Sequence, residues 1–306
     1  MNGLGFWQQI QVENRVWANS SNRLGFISKP WFVFPDGNGP RGSYTSMADI
    51  KSNLRSRDVI VLGGVLREQF VAPDNVFDVT IIGAANLPRQ ATSGGVPTGG
   101  GACWLAPTSP VAATPLLEVV AAGWQVKNIA FTPVNASAAI RLTRSASVDL
   151  TDASHFSAEG CVFAANGGTT QIGIEDNGGS SFVHLVGNRF EGLGGTAIKG
   201  LNTAAAIPQQ WLIDQNVFEG NTNAIGMSLT KGIVSNNILR QTANDTNFKI
   251  NLIAVAAQGS LNMVLNNIFS DAAANVTIAK GYKPGTTDVW RNYVTDTAAY
   301  IVTVPA

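Results

Sequence analysis

Histidine, cysteine and charge are all scarce in this chain. His155 and His184 are its only histidines, and Cys103 and Cys161 its only cysteines, among 306 residues. Two thiols so far apart make neither a disulfide framework nor a cysteine-based zinc site, so both are expected to be reduced. Charged residues are 13% of the chain, with Lys plus Arg equal to Asp plus Glu at 20 each. That balance gives no basic stripe for nucleic acid and no polybasic patch for a membrane surface. No apolar run approaches the ~20 residues of a membrane span. No basic segment followed by an apolar run opens the chain, so no secretory signal is expected and a soluble protein made in a cytoplasm is. Long helical stripes are missing too. There is no P-loop, no dinucleotide fingerprint and no Ser–His–Asp arrangement, so no cofactor and no metal are expected.

What the chain does have is a repeat. "LVGNRFEG" (185–192), "IDQNVFEG" (213–220), "IVSNNILR" (233–240) and "VLNNIFSD" (264–271) each run from an apolar stretch to Asn, one residue, then a large apolar one. Aligned on the last apolar position, the anchors are Phe131, Phe163, Phe190, Phe218, Leu239, Phe269 and Val294, spaced 21 to 32 residues apart. Asn stands two before the anchor at 188, 216, 237, 267 and 292; Cys161 takes that place once, and Asn128 lies one residue earlier near Phe131. A period of that length marks a solenoid. Short β-branched stretches cut by Gly and Asn exclude helix pairs, and the pattern fits a right-handed parallel β-helix. Each coil is too small to bury its own apolar face, so stacked coils must share one core. The anchors are then expected to stack ring on ring inside. The Asn residues are expected at turns, with left-handed backbone, joined as a hydrogen-bonded ladder.

Residues 1–45 stand outside the repeat. They hold Trp7, Trp17, Trp31, Phe32 and Phe34 among Pro and Gly, and read as an extended aromatic segment that needs a surface. That surface is either the chain's own β-helix or a partner; the second choice makes these five residues the candidates for anchoring to a partner or sister subunit. "SMADIKSNLRS" (46–56) reads as a short helix capping the open end of the solenoid, with Ser46 and Asp49 as a capping-box variant and Met47, Ile50 and Leu54 on one face. The β-helix is expected over 46–306, interrupted by a long Gly/Pro-rich loop at 87–115 with Trp104 in its middle. The last apolar strand, "AAYIVTVPA", favours an oligomer that covers it.

"VIVLGGVLREQF" with "VTIIGA" resembles the opening coils of the pectate-lyase and pectinesterase superfamily. From "TSGGVPTGGGACWLAPTSPVAATPLLEVVAAGWQVKNIAF" through "GIEDNGG", "GTAIKG" and "ANVTIAKGYKPGTTDVWRNYVTDTAAYIVTVP", the chain is similar to right-handed β-helix proteins of tailed bacteriophages and prophages. The resemblance covers most of 46–306. It implies a structural virion protein: a homotrimeric spike or fibre on tail or capsid, assembled in the host cytoplasm. Its partners would be itself, other virion proteins and host-surface polysaccharide.

The alternative is a polysaccharide-degrading enzyme, glycosidase or lyase, including a tailspike depolymerase. The polygalacturonase and pectinesterase site phrases are absent. A lyase needs an acidic calcium cluster and a basic proton abstractor, and "IED" (174–176) is the nearest acidic pair, with no further carboxylate beside it in the repeat. Glu191 and Glu219 each follow an anchor directly, so they should stack one coil apart, about 5 Å, close to the carboxylate separation of retaining glycosidases. The plainer reading of that column is a charged surface: the next coil offers Arg240 to neutralise Glu219, and the flanking coils carry Ala164 and Ser270. Asp214 adds a third, weaker carboxylate. His155 and His184 fall on different coils.

Overall fold

The computed structural model describes residues 30–84, 101–133, 135–144, 152–165, 170–200, 207–240, 250–252, 261–270, 282–283, 289–294 and 299–301. The chain winds as a right-handed parallel β-helix, with strands stacked coil on coil along three faces. The first face runs through Trp31–Val33, Val59–Leu62, Thr80–Gly83, Gln125–Lys127, Ser157–Glu159, His184–Val186, Leu212–Asp214 and Ile233–Ser235. The second runs through Val65–Arg67, Cys103–Leu105, Ala130–Thr132, Val162–Ala164, Arg189–Glu191, Val217–Glu219 and Ile238–Arg240. Two longer strands, Met263–Ser270 and Val289–Val294, continue both faces. The third face runs from Phe70–Val71 through Leu117–Val119, Ala138–Leu142, Ile172–Asp176, Thr196–Gly200, Asn223–Gly226 and Ile250–Asn251 to Tyr282–Lys283.

The repeat phrase is the corner between the first two faces. Its anchors point inward and stack: Trp104 on Phe131 at 5.8 Å, Phe131 on Phe163 at 5.2 Å, Phe163 on Phe190 at 4.7 Å and Phe190 on Phe218 at 4.9 Å. Leu239 and Phe269 extend the column, both buried. Trp104 therefore starts the stack. Cys103–Leu105 is a strand paired with Val65–Arg67 and Ala130–Thr132, so the long loop expected at 87–115 contains one rung of the core. Buried indoles find acceptors on neighbouring coils: Trp104 donates to Glu68 O, Trp124 to Val76 O and Trp211 to Ser180 O.

The Asn ladder forms inside the corner. Asn188, Asn216, Asn237 and Asn267 are all buried. Each Oδ1 accepts the backbone N–H of the equivalent residue one coil earlier, from Cys161, Asn188, Asn216 and Asn237 in turn. Each Nδ2 donates to a strand carbonyl, of Ala158, Leu185, Ile213 and Val234 respectively. A buried amide is tolerated because its partners are supplied. The left-handed residue is not the ladder Asn but the one before it: Asn128, Gly160, Gly187, Gln215, Asn236 and Asn266. Asn128 thus belongs to the turn column, and apolar Ile129 fills the ladder place on its coil. Asn292 pairs through its backbone with Ile301.

The helix is short, Ala48–Lys51. Asp49 N–H donates to Ser46 Oγ and Ser46 N–H to Asp49 Oδ2, both at 3.1 Å, a reciprocal cap. Met47, Ile50 and Leu54 are buried in the main core. Met47 N–H reaches Glu68 Oε1 at 2.8 Å and Lys51 sits over the Phe70 ring, so the helix closes the end of the solenoid beneath the first coil's second and third faces. Among the described residues the other end finishes with Ala299–Ile301, which turns back antiparallel on Asn292–Val294.

Trp31, Phe32 and Phe34 lie on this same body. Trp31–Val33 is the first rung of the first face, paired with Ile60–Leu62. Phe34 is buried with Val61 and Ala84, and Phe32 packs against that cluster. Trp7 and Trp17 fall outside the described residues.

Candidate functional site

A side chain on a β-helix points either into the core or out from a face, so function must be read from the outward rows. On the second face the row is built by the register Ala164, Glu191, Glu219, Arg240 and the parallel row Val162, Arg189, Val217, Ile238. Glu191 and Glu219 are direct partners on adjacent coils. Each is followed by a glycine with positive φ, Gly192 at 64° and Gly220 at 65°, where the chain turns off the face. A side chain is strained in that conformation, so the repeated Glu-Gly places both carboxylates at the same edge.

The cation between them is Arg189. Its Nε lies 3.1 Å from Glu191 Oε2 and its Nη2 2.8 Å from Glu219 Oε2. The sequence offers Arg240 for this role, but Arg189 is two residues before Glu191, on the same side of the same strand. One guanidinium faces two carboxylates, all three half-buried, and Arg240 stands in register with Glu219 on the next coil. Asp214 is elsewhere, on the first face, where Ser235 Oγ and Asn236 Nδ2 donate to its Oδ1.

A second charged row lies on the third face and follows no anchor phrase. Glu118, Arg141, Glu175 and Lys199 are in register on four successive coils. Arg141 Nε is 2.8 Å from Glu175 Oε2, Lys199 Nζ is 3.5 Å from Glu175 Oε1, and Arg141 Nη2 donates to Ala113 O. Glu175 is nearly buried while its cations are more exposed. The loop that carries Ala113 is itself fixed by Gln69, which bonds Val111 and Thr114. The sequence signal was present as "LE", "IR", "IE" and "IK", a charge after an aliphatic once per coil.

The acidic pair of "IED" is split by the strand's alternation. Glu175 points out, but Asp176 occupies a buried inward place, in register with Leu142. Burial pushes the Asp176 carboxyl up to about 6, against the pull of donors from Ser180 Oγ, Ser180 N–H, Gly178 N–H and Gly179 N–H. That carboxyl organises the turn 177–180. Among the described residues no three His, Cys, Asp or Glu side chains gather as a metal-binding group.

Both histidines are exposed. His184 points out from the first face, and His155 sits in the turn before it with φ 59°, its ring stacked on Phe182 at 4.9 Å. Both cysteines are free and buried, and burial pushes their thiols up to about 11 for Cys103 and about 12 for Cys161.

No protein-family model matches the chain, and no curated protein does. Solved structures do. An alginate lyase from Paenibacillus sp. str. FPU-7 is 14% identical with a TM-score of 0.51, over 76% of each chain. The pectate lyase Pel9A is 12% identical at 0.46, over 92% of this chain and 82% of its own. The pectin methylesterase PemA from Erwinia chrysanthemi is 10% identical at 0.41, over 90% and 85%. What the chain shares with the alginate lyase at that identity is its fold alone, the parallel β-helix.

Proposed function

We propose that the protein is a polysaccharide-degrading enzyme that cleaves a glycan laid across the second face through Glu191 and Glu219. The observation that carries this reading is their register: two carboxylates on adjacent coils of an open face. The spacing of neighbouring strands, about 4.8 Å, is near that of a nucleophile and an acid on either side of a glycosidic bond. One carboxyl protonates the leaving oxygen while the other attacks the anomeric carbon; water then releases the sugar. Arg189 holds both Oε2 atoms before substrate arrives. The alginate lyase that shares this fold is also named for action on a polysaccharide.

The test is release of reducing ends from bacterial capsular polysaccharides, alginate and pectin. The expected result is cleavage of at least one, lost by at least 100-fold in Glu191→Gln and in Glu219→Gln, about the contribution of one acid–base group. Cleavage that survives both substitutions removes these residues from the chemistry. Products with an unsaturated terminal sugar would make the protein a lyase instead.

A second reading has its own observation. The first face carries an apolar row, half-buried Leu212 and exposed Ile233 and Met263 in register. Such a strip is stabilised by burial against another chain. On this reading the protein is a virion component of a tailed bacteriophage, a homotrimeric spike or fibre that touches host-surface polysaccharide. Sedimentation would then give a trimer for the intact chain and a smaller species for Ile233→Glu. A monomer in both removes the support.

A further inference from the structure

We propose that Asn221 is a positioning residue for the carboxylate pair: it ties the backbone on both sides of Glu191 to the coil that carries Glu219. Its use in catalysis rests on the hydrolytic reading of that pair. Asn221 is 4% exposed. Its Oδ1 accepts from Leu193 N–H and its Nδ2 donates to Phe190 O, both at 3.0 Å. Those two backbone groups bracket Glu191 and Gly192.

The side chain repeats, at the corner between the second and third faces, what the ladder asparagines do between the first and second. Asn216 accepts from Asn188 N–H and donates to Leu185 O, three residues before Asn188. Asn221 accepts from Leu193 N–H and donates to Phe190 O, three residues before Leu193. In both places the residue before the amide is left-handed, Gln215 and Gly220. Glu191 and Glu219 are register partners, so Leu193 is the equivalent of Asn221 one coil earlier. Leu193 is fully buried. The place therefore accommodates leucine, and a buried amide is tolerated there because both of its bonds are made. What the amide adds over leucine is the tie.

Glu191 is where a tie has an effect. Arg189 holds the tip of its carboxylate, but the strand ends at its root, and Gly192 follows with a φ of 64°. A glycine leaves the backbone free to pivot at that point. Gly192 N–H donates to Glu219 O at 2.8 Å. Asn221 adds one bond before Glu191 and one after Gly192. With root and tip both fixed, the separation of the two carboxylates is set before substrate arrives, and such preorganisation is what lowers a barrier.

The experiment compares two buried amides of the same kind. Asn262 accepts from Gly232 N–H and donates to Leu229 O, at the corner between the third and first faces. Asn221→Leu and Asn262→Leu each remove one such rung from the intact chain, and Asn221→Ala stands in should leucine prevent folding. Amide hydrogen exchange followed by NMR reads the tie without substrate. Leu193 N–H should exchange at least tenfold faster in Asn221→Leu and keep the parent rate in Asn262→Leu. Steady-state kinetics on the polysaccharide that the parent cleaves, at a temperature where every variant is folded, read its use. In Asn221→Leu, kcat should fall at least tenfold with KM within twofold of the parent; in Asn262→Leu both should stay within twofold. Parent-like exchange at Leu193, an equal loss of kcat in both variants, or a loss carried by KM overturns the proposal. A parent that cleaves no polysaccharide removes the hydrolytic reading and with it the catalytic use, while the exchange rates decide the tie by themselves.

Discussion

The backbone N–H and the side-chain amide of Asn188 both donate to Oδ1 of Asn216, one coil further on, at 2.9 and 3.0 Å. Asn216 does the same to Asn237, and Asn237 to Asn267. This chain of amides fixes how each coil sits on the next. The register of Glu191 on Glu219, three residues after the ladder positions, follows from it.

Asn216→Leu tests the ladder. It strands two donors of Asn188 and the carbonyl of Leu185 in a dry corner. At about 1–3 kcal/mol for each group left without a partner, the expected loss is about 3–5 kcal/mol in chemical denaturation. A loss under about 1 kcal/mol would mean that the ladder is incidental to stability.

Phe190 sits in the ring stack with neighbours at 4.7 and 4.9 Å. Phe190→Ala should destabilise by about 3–5 kcal/mol, and Phe190→Leu by much less, because leucine already serves at 239 in the same column. Equal losses for the two would point to ring stacking rather than volume.

Stability should fall as pH rises from 5 to 8. Burial holds Asp176 up at about 6 and Glu68 up at about 7, each above its ordinary value. A group raised by folding favours the folded state while protonated in it, and that advantage is lost as pH passes the folded value. For Asp176 the whole shift is worth on the order of 3 kcal/mol, of which about half falls between pH 5 and 8. Melting temperatures at the two pH values, for the parent chain, Asp176→Asn and Glu68→Gln, are the check: the parent should melt lower at pH 8, and each substitution should flatten the slope. A parent that melts higher at pH 8 contradicts the assignment.

Arg189→Met leaves Glu191 and Glu219 facing each other without their shared cation. All three are partly solvated, so the expected cost is about 1 kcal/mol at low salt. High salt should recover most of it by screening. A salt-independent loss would assign Arg189 a packing role instead.

The parts of the fold that were legible are those that recur. The phenylalanine anchors and the asparagines repeat once per coil, so both the inner stack and the ladder could be read from spacing. The spacing alone puts the left-handed turn one residue late, because Asn occupies both neighbouring positions at 236–237 and 266–267 and only the backbone separates their roles. Cys103–Leu105 was hidden because three residues between Gly-rich and Pro-rich stretches carry no period. The stacking of Glu191 on Glu219 could be read, but their cation could not be chosen. Two arginines stand near the pair, and the geometry selects the one on Glu191's own strand. The Glu118, Arg141, Glu175, Lys199 row lies on a face without an anchor phrase, and a charge after an aliphatic is too common a pair to align its members by itself.

A ladder-locked solenoid also quantises distance. Two side chains in one outward row are one strand spacing apart, or two, or three, with nothing between. Insertion of a whole coil between Gly192 and Gly220 would move Glu191 from Glu219 by a full step while leaving both coils intact. In a protein of this build the distance between two outward groups is set by the number of coils between them.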